Sequence, residues 1–137
     1  MAHTYTTPTM LNCWSRQSQI DRWSTLESAL LRELVPGVNL RTPRVDAGEV
    51  DTLEDQTGHE IGAFLELFEA QLEHPEHKRW LHYGLTSSDL VDSGRQMALH
   101  STTNQLHSAA IRLLQVVSQM PAVPVVGRTH GQPASPT

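Results

Sequence analysis

Apolar residues recur every three or four positions at Ile20, Trp23, Leu26 or Glu27, Leu30, Leu31 and Leu34. That spacing predicts a helix, with Ser15 as its cap and Pro36-Gly37 as its stop. Residues 37–46 hold Gly, Asn, Pro and Asp and predict a connection, followed by a short helix from Ala47 to Glu54. Thr57 and Glu60 have capping-box spacing, in which each side chain satisfies the other's free backbone N–H. A single stripe of Ile61, Phe64, Leu65, Phe68 and Leu72 follows, and Pro75 ends that helix.

After a loop through Gly84, Ser87 or Ser88 caps a helix predicted to run to Met120, where Pro121 stops it. Its expected buried positions are Leu90, Val91, Met97, Leu99, Leu106, Ala109, Ala110, Leu113, Leu114, Val117 and Met120. Around 109–117 they occupy more than one face, which implies burial on several sides. Gly94 and the run His100-Ser101-Thr102-Thr103-Asn104 are weak helix formers, where a break would fall. Val123-Pro124-Val125-Val126 reads as a short extended piece. The chain reads as all-α. An unbroken helix of about 32 residues is about 48 Å long at 1.5 Å per residue. A compact chain of this size is only about 37 Å across, so the helix needs partner helices and an oligomer is expected.

Composition narrows the class. The 137 residues suit one domain, 38% hydrophobic and 18% charged, with a net charge of −5. No cluster of lysine and arginine marks a nucleic-acid footprint. No apolar run is long enough to span a membrane, and residues 1–5 carry neither a basic nor an apolar leader pattern. Cys13 is the only cysteine, which fits a reducing compartment. A soluble cytoplasmic protein is expected.

Three histidines stand beside hydroxyls at element boundaries. His130 lies in Gly127-Arg128-Thr129-His130-Gly131-Gln132-Pro133, too rich in Gly and Pro to be helical. A loop histidine there can serve as a general acid or base; the plain alternative is an ordinary loop residue. Thr86-Ser87-Ser88 at a helix N-terminus offers hydroxyls and free N–H groups to a carboxylate or phosphate, or simply caps the helix. His59, in Thr57-Gly58-His59-Glu60, falls in a first turn, where the helix dipole favours the neutral ring. His74, His77 and His82 match no ligand pattern, so no metal is expected. No phosphate-cradling glycine loop or nucleophile elbow occurs, and no cofactor is expected.

In order and wording, these segments resemble the N-terminal part of the adenylosuccinate lyases, in the fumarase/aspartase superfamily. The resemblance begins at Tyr5, Pro8 and Met10 and continues through Gly58-His59-Glu60 and His82-Tyr83-Gly84-Leu85-Thr86-Ser87-Ser88-Asp89. It ends with Gly127-Arg128-Thr129-His130-Gly131, where fumarases and argininosuccinate lyases usually have leucine after the histidine. It covers nearly all of this chain and a third or less of a complete family member. It implies the N-terminal helical domain of the fumarase/aspartase fold, leading into a long helix packed in a multi-helix bundle. On that pattern residues 1–85 form a small helical part, 86–120 the long helix and 121–137 an active-site-type loop.

The implied reaction is β-elimination of fumarate from adenylosuccinate or a related succinylated purine ribonucleotide. By the same resemblance His130 is the acid, assisted by His59. Thr86 and Ser87 hold the succinyl carboxylate, Tyr5 and His82 lie near the nucleotide, and Thr129 and Gln132 complete the substrate contacts. The partners implied are a purine nucleotide and either further copies of the chain or a complementary lyase chain. The chain departs from the pattern in having Thr4 where an arginine normally precedes the tyrosine, and Gly58-His59-Glu60 for arginine-histidine-aspartate. The family's base-bearing loop lies beyond the matched part, so this chain is expected to be inactive alone. The rival reading is a non-catalytic nucleotide-binding or regulatory module; a purely structural helical protein explains neither the hydroxyl cluster nor the loop histidine.

Overall fold

The computed structural model describes residues 7–37 and 39–120 in full, and the backbone of 128–129 and 132–133. The chain divides into two compact units, Met1–Asn104 and Gln105–Thr137. Its helices are α1 (Pro8–Cys13), α2 (Arg16–Leu34), α3 (Ala47–Thr57), α4 (Glu60–Ala70), α5 (Pro75–Trp80) and α6 (Ser87–Gln119). The fold is all-α apart from two-residue strands β1 (Arg128–Thr129) and β2 (Gln132–Pro133).

Local chemistry accounts for the boundaries. Ser15 caps α2 by accepting from the Ser18 N–H at 3.2 Å. Asp46 caps α3, accepting from Gly48 and Glu49. Helix α3 runs one turn beyond the predicted Glu54 and ends at Gly58, whose φ of 70° is left-handed and suits glycine. The predicted capping box does not form. Thr57 belongs to α3, where its hydroxyl donates to the Leu53 carbonyl at 3.0 Å, and α4 is capped by His59.

Two short helices were not predicted, and both begin at a proline, Pro8 and Pro75. Proline lacks an N–H, which costs nothing in a first turn where N–H groups have no intrahelical partner. Pro75 therefore starts α5 rather than merely ending α4.

In the first unit the core gathers Ile20, Trp23 and Leu31 of α2, Val50 of α3, Ile61, Phe64 and Phe68 of α4, and Leu90 of α6. Trp23 meets Phe64 edge-on at 5.5 Å, and Phe64 lies 5.6 Å from Phe68. Helix α6 docks through Leu90, Gly94, Ala98 and Thr102, a four-residue period of mostly small side chains. The side chains predicted to be buried differ: Met97 and Leu99 are exposed, and no break occurs at Gly94 or at residues 100–104.

In the second unit Leu106, Ile111, Leu113, Leu114, Val116, Val117 and Met120 are exposed. The extended piece predicted at 123–126 lies outside the described residues. Among the described residues no helix is long and apolar enough to cross a membrane.

Candidate functional site

The turn between α3 and α4 and the first turns of α6 enclose one open groove of about 540 Å³. His59 and Glu60 line it from one side, and Ser87, Ser88, Asp92 and Arg95 from the other. Two candidates far apart in sequence, His59 and Ser87, thus face the same space.

His59 is positioned by its own capping role. Its extended backbone (φ −140°, ψ 102°) turns the ring back over α4, where Nδ1 accepts the Gly62 N–H at 2.8 Å. An imidazole nitrogen that accepts carries no proton, so the neutral ring is protonated at Nε2 and offers that N–H as a donor. Gly62 leaves the ring its room, since a methyl there would sit 3.2 Å from Nδ1.

Arg16 fixes the turn from below. It bonds Asp51 at 2.8 Å and Glu54 at 3.3 Å on α3, and also Glu60 on α4. Burial opposes its charge, but the hydrogen bonds to Glu60 and Asp51 outweigh burial and raise its pKa above the ordinary arginine value.

The hydroxyl cluster differs in detail from the sequence reading. Neither Ser87 nor Ser88 caps α6. Asp89 instead accepts from the Thr86 N–H at 2.7 Å and from its hydroxyl at 2.9 Å. Those bonds, backbone first and then hydroxyl, hold the Asp89 carboxyl below the usual range, with His82 adding in the same direction against slight burial. The Thr86 hydroxyl thus gives its proton to Asp89, leaving Ser87 and Ser88 as the hydroxyl residues on the groove.

His82 does not line this groove. It adopts φ 57°, and its backbone N–H donates to Glu27 Oε2 at 3.1 Å. Its Nδ1 lies 2.6 Å from Glu27 Oε1, and Glu27 is fully buried. Tyr5 and His130 lie outside the described residues. The backbones of Thr129 and Gln132 pair antiparallel across β1 and β2. Among the described residues no cluster of His, Cys, Asp or Glu is arranged to hold a metal ion.

The profile of a family described as "Lyase" matches residues 38–137. The chain belongs to this lyase family. The all-α architecture is that of the N-terminal domain of the fumarase/aspartase fold, as the resemblance implied. Among curated relatives of this lyase chain, the adenylosuccinate lyase of Thermotoga maritima is 30% identical, covering 100% of the chain and 34% of the relative. That of Staphylococcus saprophyticus is 27% identical with the same coverage. That of Archaeoglobus fulgidus is 31% identical over 97% of the chain and 32% of the relative. The chain therefore spans about a third of the length of these relatives, matching their N-terminal part. No solved structure matches significantly.

Sequence reasoning missed Arg16, Glu27, Gly62 and Arg95. Only Glu27 left a signal, as an acidic residue on the buried stripe of α2.

Proposed function

We propose that this chain supplies part of an adenylosuccinate-lyase-type site, which releases fumarate from adenylosuccinate or a related succinylated purine ribonucleotide. The observation that carries the reading is the shared groove of His59, Ser87 and Ser88. In the elimination a base takes the proton beside a carboxylate, and that C–H pair becomes the fumarate double bond. The C–N pair leaves with the purine nitrogen, which an acid protonates. His130 fills the acid role. His59, held as an Nε2–H donor by its cap, assists by stabilising negative charge on the substrate. Ser87 and the free N–H groups at the start of α6 receive a succinyl carboxylate. Thr86 joins them if its proton turns from Asp89 to the ligand. Tyr5 and His82 lie near the nucleotide part, and Thr129 and Gln132 complete the substrate contacts.

The base comes from outside the described residues, and the exposed apolar side of α6 between Leu106 and Met120 packs against further helices of the assembly. A second reading, a nucleotide-binding or regulatory module without turnover, is favoured by Thr4 at the position of the family's phosphate arginine.

Fumarate release from adenylosuccinate by an assembly that contains this chain and a chain supplying the base, with His130→Gln as control, separates the two. Release above the control supports the lyase reading. AMP binding without release supports the module, and neither release nor binding sinks both.

A further inference from the structure

Glu27 is a carboxylate with no solvent exposure on the core face of α2. A buried carboxylate is costly unless its oxygens are satisfied. Here both are satisfied by a single residue 55 positions away: Oε2 takes the His82 backbone N–H and Oε1 meets Nδ1. His82 is also the only non-glycine residue with positive φ among the described residues. A side chain rarely adopts that conformation without outside support. The carboxylate holds both the backbone and the ring of the segment that leads into Thr86 and Ser87.

This pairing has a chemical consequence. A carboxylate accepts from both partners, so Nδ1 must carry a proton and the remaining lone pair of a neutral ring is on Nε2. About one-fifth of the His82 side chain is exposed. Nδ1 faces the buried acid, so Nε2 lies on the opposite side of the ring, away from Glu27.

We propose that Glu27 is a positioning residue that fixes the tautomer of His82, so that Nε2 is presented as an acceptor to a hydroxyl or N–H donor of the ligand. The tautomer follows from the geometry; its use in nucleotide recognition rests on the function proposed above. In that role His82 reads a sugar hydroxyl or a base amine rather than a phosphate. It is the counterpart of His59, whose Nδ1 accepts and whose Nε2 therefore donates. In their neutral forms the two imidazoles are thus set in opposite tautomers by their surroundings.

The test is a long-range 1H–15N correlation spectrum of the histidine-labelled chain at about pH 9, where imidazoles are neutral. His82→Asn, which tolerates the left-handed backbone, identifies the signal by its loss. Wild-type His82 should be protonated at Nδ1. In Glu27→Gln the buried His82 N–H keeps the amide oxygen, so the amide NH2 faces Nδ1 and the ring should switch to Nε2–H. AMP should bind that variant at least about tenfold more weakly, because a donor then meets a donor.

A wild-type ring protonated at Nε2 would mean that Glu27 holds the proton, and would overturn the assignment. An unchanged tautomer in a folded Glu27→Gln chain would overturn Glu27's role. If that variant loses its helical signal, the wild-type spectrum decides alone. Failure of AMP to bind wild type, with both tautomers as stated, would overturn the ligand half and leave the positioning role standing.

Discussion

Replacing Gly94 with alanine puts two effects of similar size against each other where α6 meets the core. In a helix interior, glycine to alanine is favourable by about 1 kcal/mol through backbone entropy. Against that, the new methyl would sit 3.2 Å from both Cδ1 and Nε1 of Trp23. The indole is fully buried and braced edge-on by Phe64, itself backed by Phe68. Recoil by a few tenths of an ångström would pass through the whole aromatic stack, and overpacking of this kind costs about 1–3 kcal/mol. The balance is a net loss of about 1 kcal/mol, or about 4 °C in Tm for a chain of this length. Thermal unfolding followed by circular dichroism measures it. The double-mutant cycle with Trp23→Phe gives the cause: with the smaller ring present, the Gly94→Ala cost should shrink by about 1 kcal/mol. A Gly94→Ala chain that melts higher than wild type, or a cycle without coupling, would refute the claim that Trp23 cannot yield.

The two roles of His59 can be separated, because asparagine caps helices as well as any residue. His59→Asn should stay within about 0.5 kcal/mol of wild type while His59→Ala loses about 1 kcal/mol. Both should lower fumarate release in a competent assembly by about 10²–10³, and an active His59→Asn would reduce the imidazole to a cap. Stability should fall on acidification in two windows. The His77 pKa is depressed by burial and then by His74. Its contribution is therefore intact above the ordinary histidine value of about 6.5 and is lost as pH falls from there toward its lowered folded value. Asp89, also depressed, contributes above about pH 3.9 and loses that contribution as pH falls through its folded value. A flat urea midpoint from pH 7 to 5 would contradict the first. The apolar residues of α6 beyond Leu106 predict self-association at micromolar concentration, and a fully helical monomer in sedimentation would count against it.

What the sequence disclosed and what it hid divide along one physical line. Helices α2 and α4 were legible because repeated burial writes a period into the chain, as with Ile20, Trp23 and Leu31. Helices α1 and α5, six residues each, are too short to show a period, and Pro75, which opens α5, read as a stop. The cap of α4 was misplaced by two residues because threonine is the commoner cap, whereas here the imidazole accepts the free N–H. The candidate residues came from their order along the chain, but order says nothing about which of them meet. That Ser87 shares a groove with His59, while Thr86 turns to Asp89 and His82 to Glu27, follows from contacts across up to 55 positions. The docked face of α6 was misread because Gly94, Ala98 and Thr102 are buried by close approach rather than by bulk.

The burial of α6 stops at Thr102, yet the helix continues to Gln119. Among the described residues none of its last 17 is buried, and helices of about 12–15 residues are marginal in water. Amide protons should therefore exchange along α6 as a gradient, slow near Leu90 and fast toward Val117. Contact with another subunit would convert that gradient into uniform protection. The helix would then act as a clock for assembly, its C-terminal turns becoming long-lived only when a partner arrives.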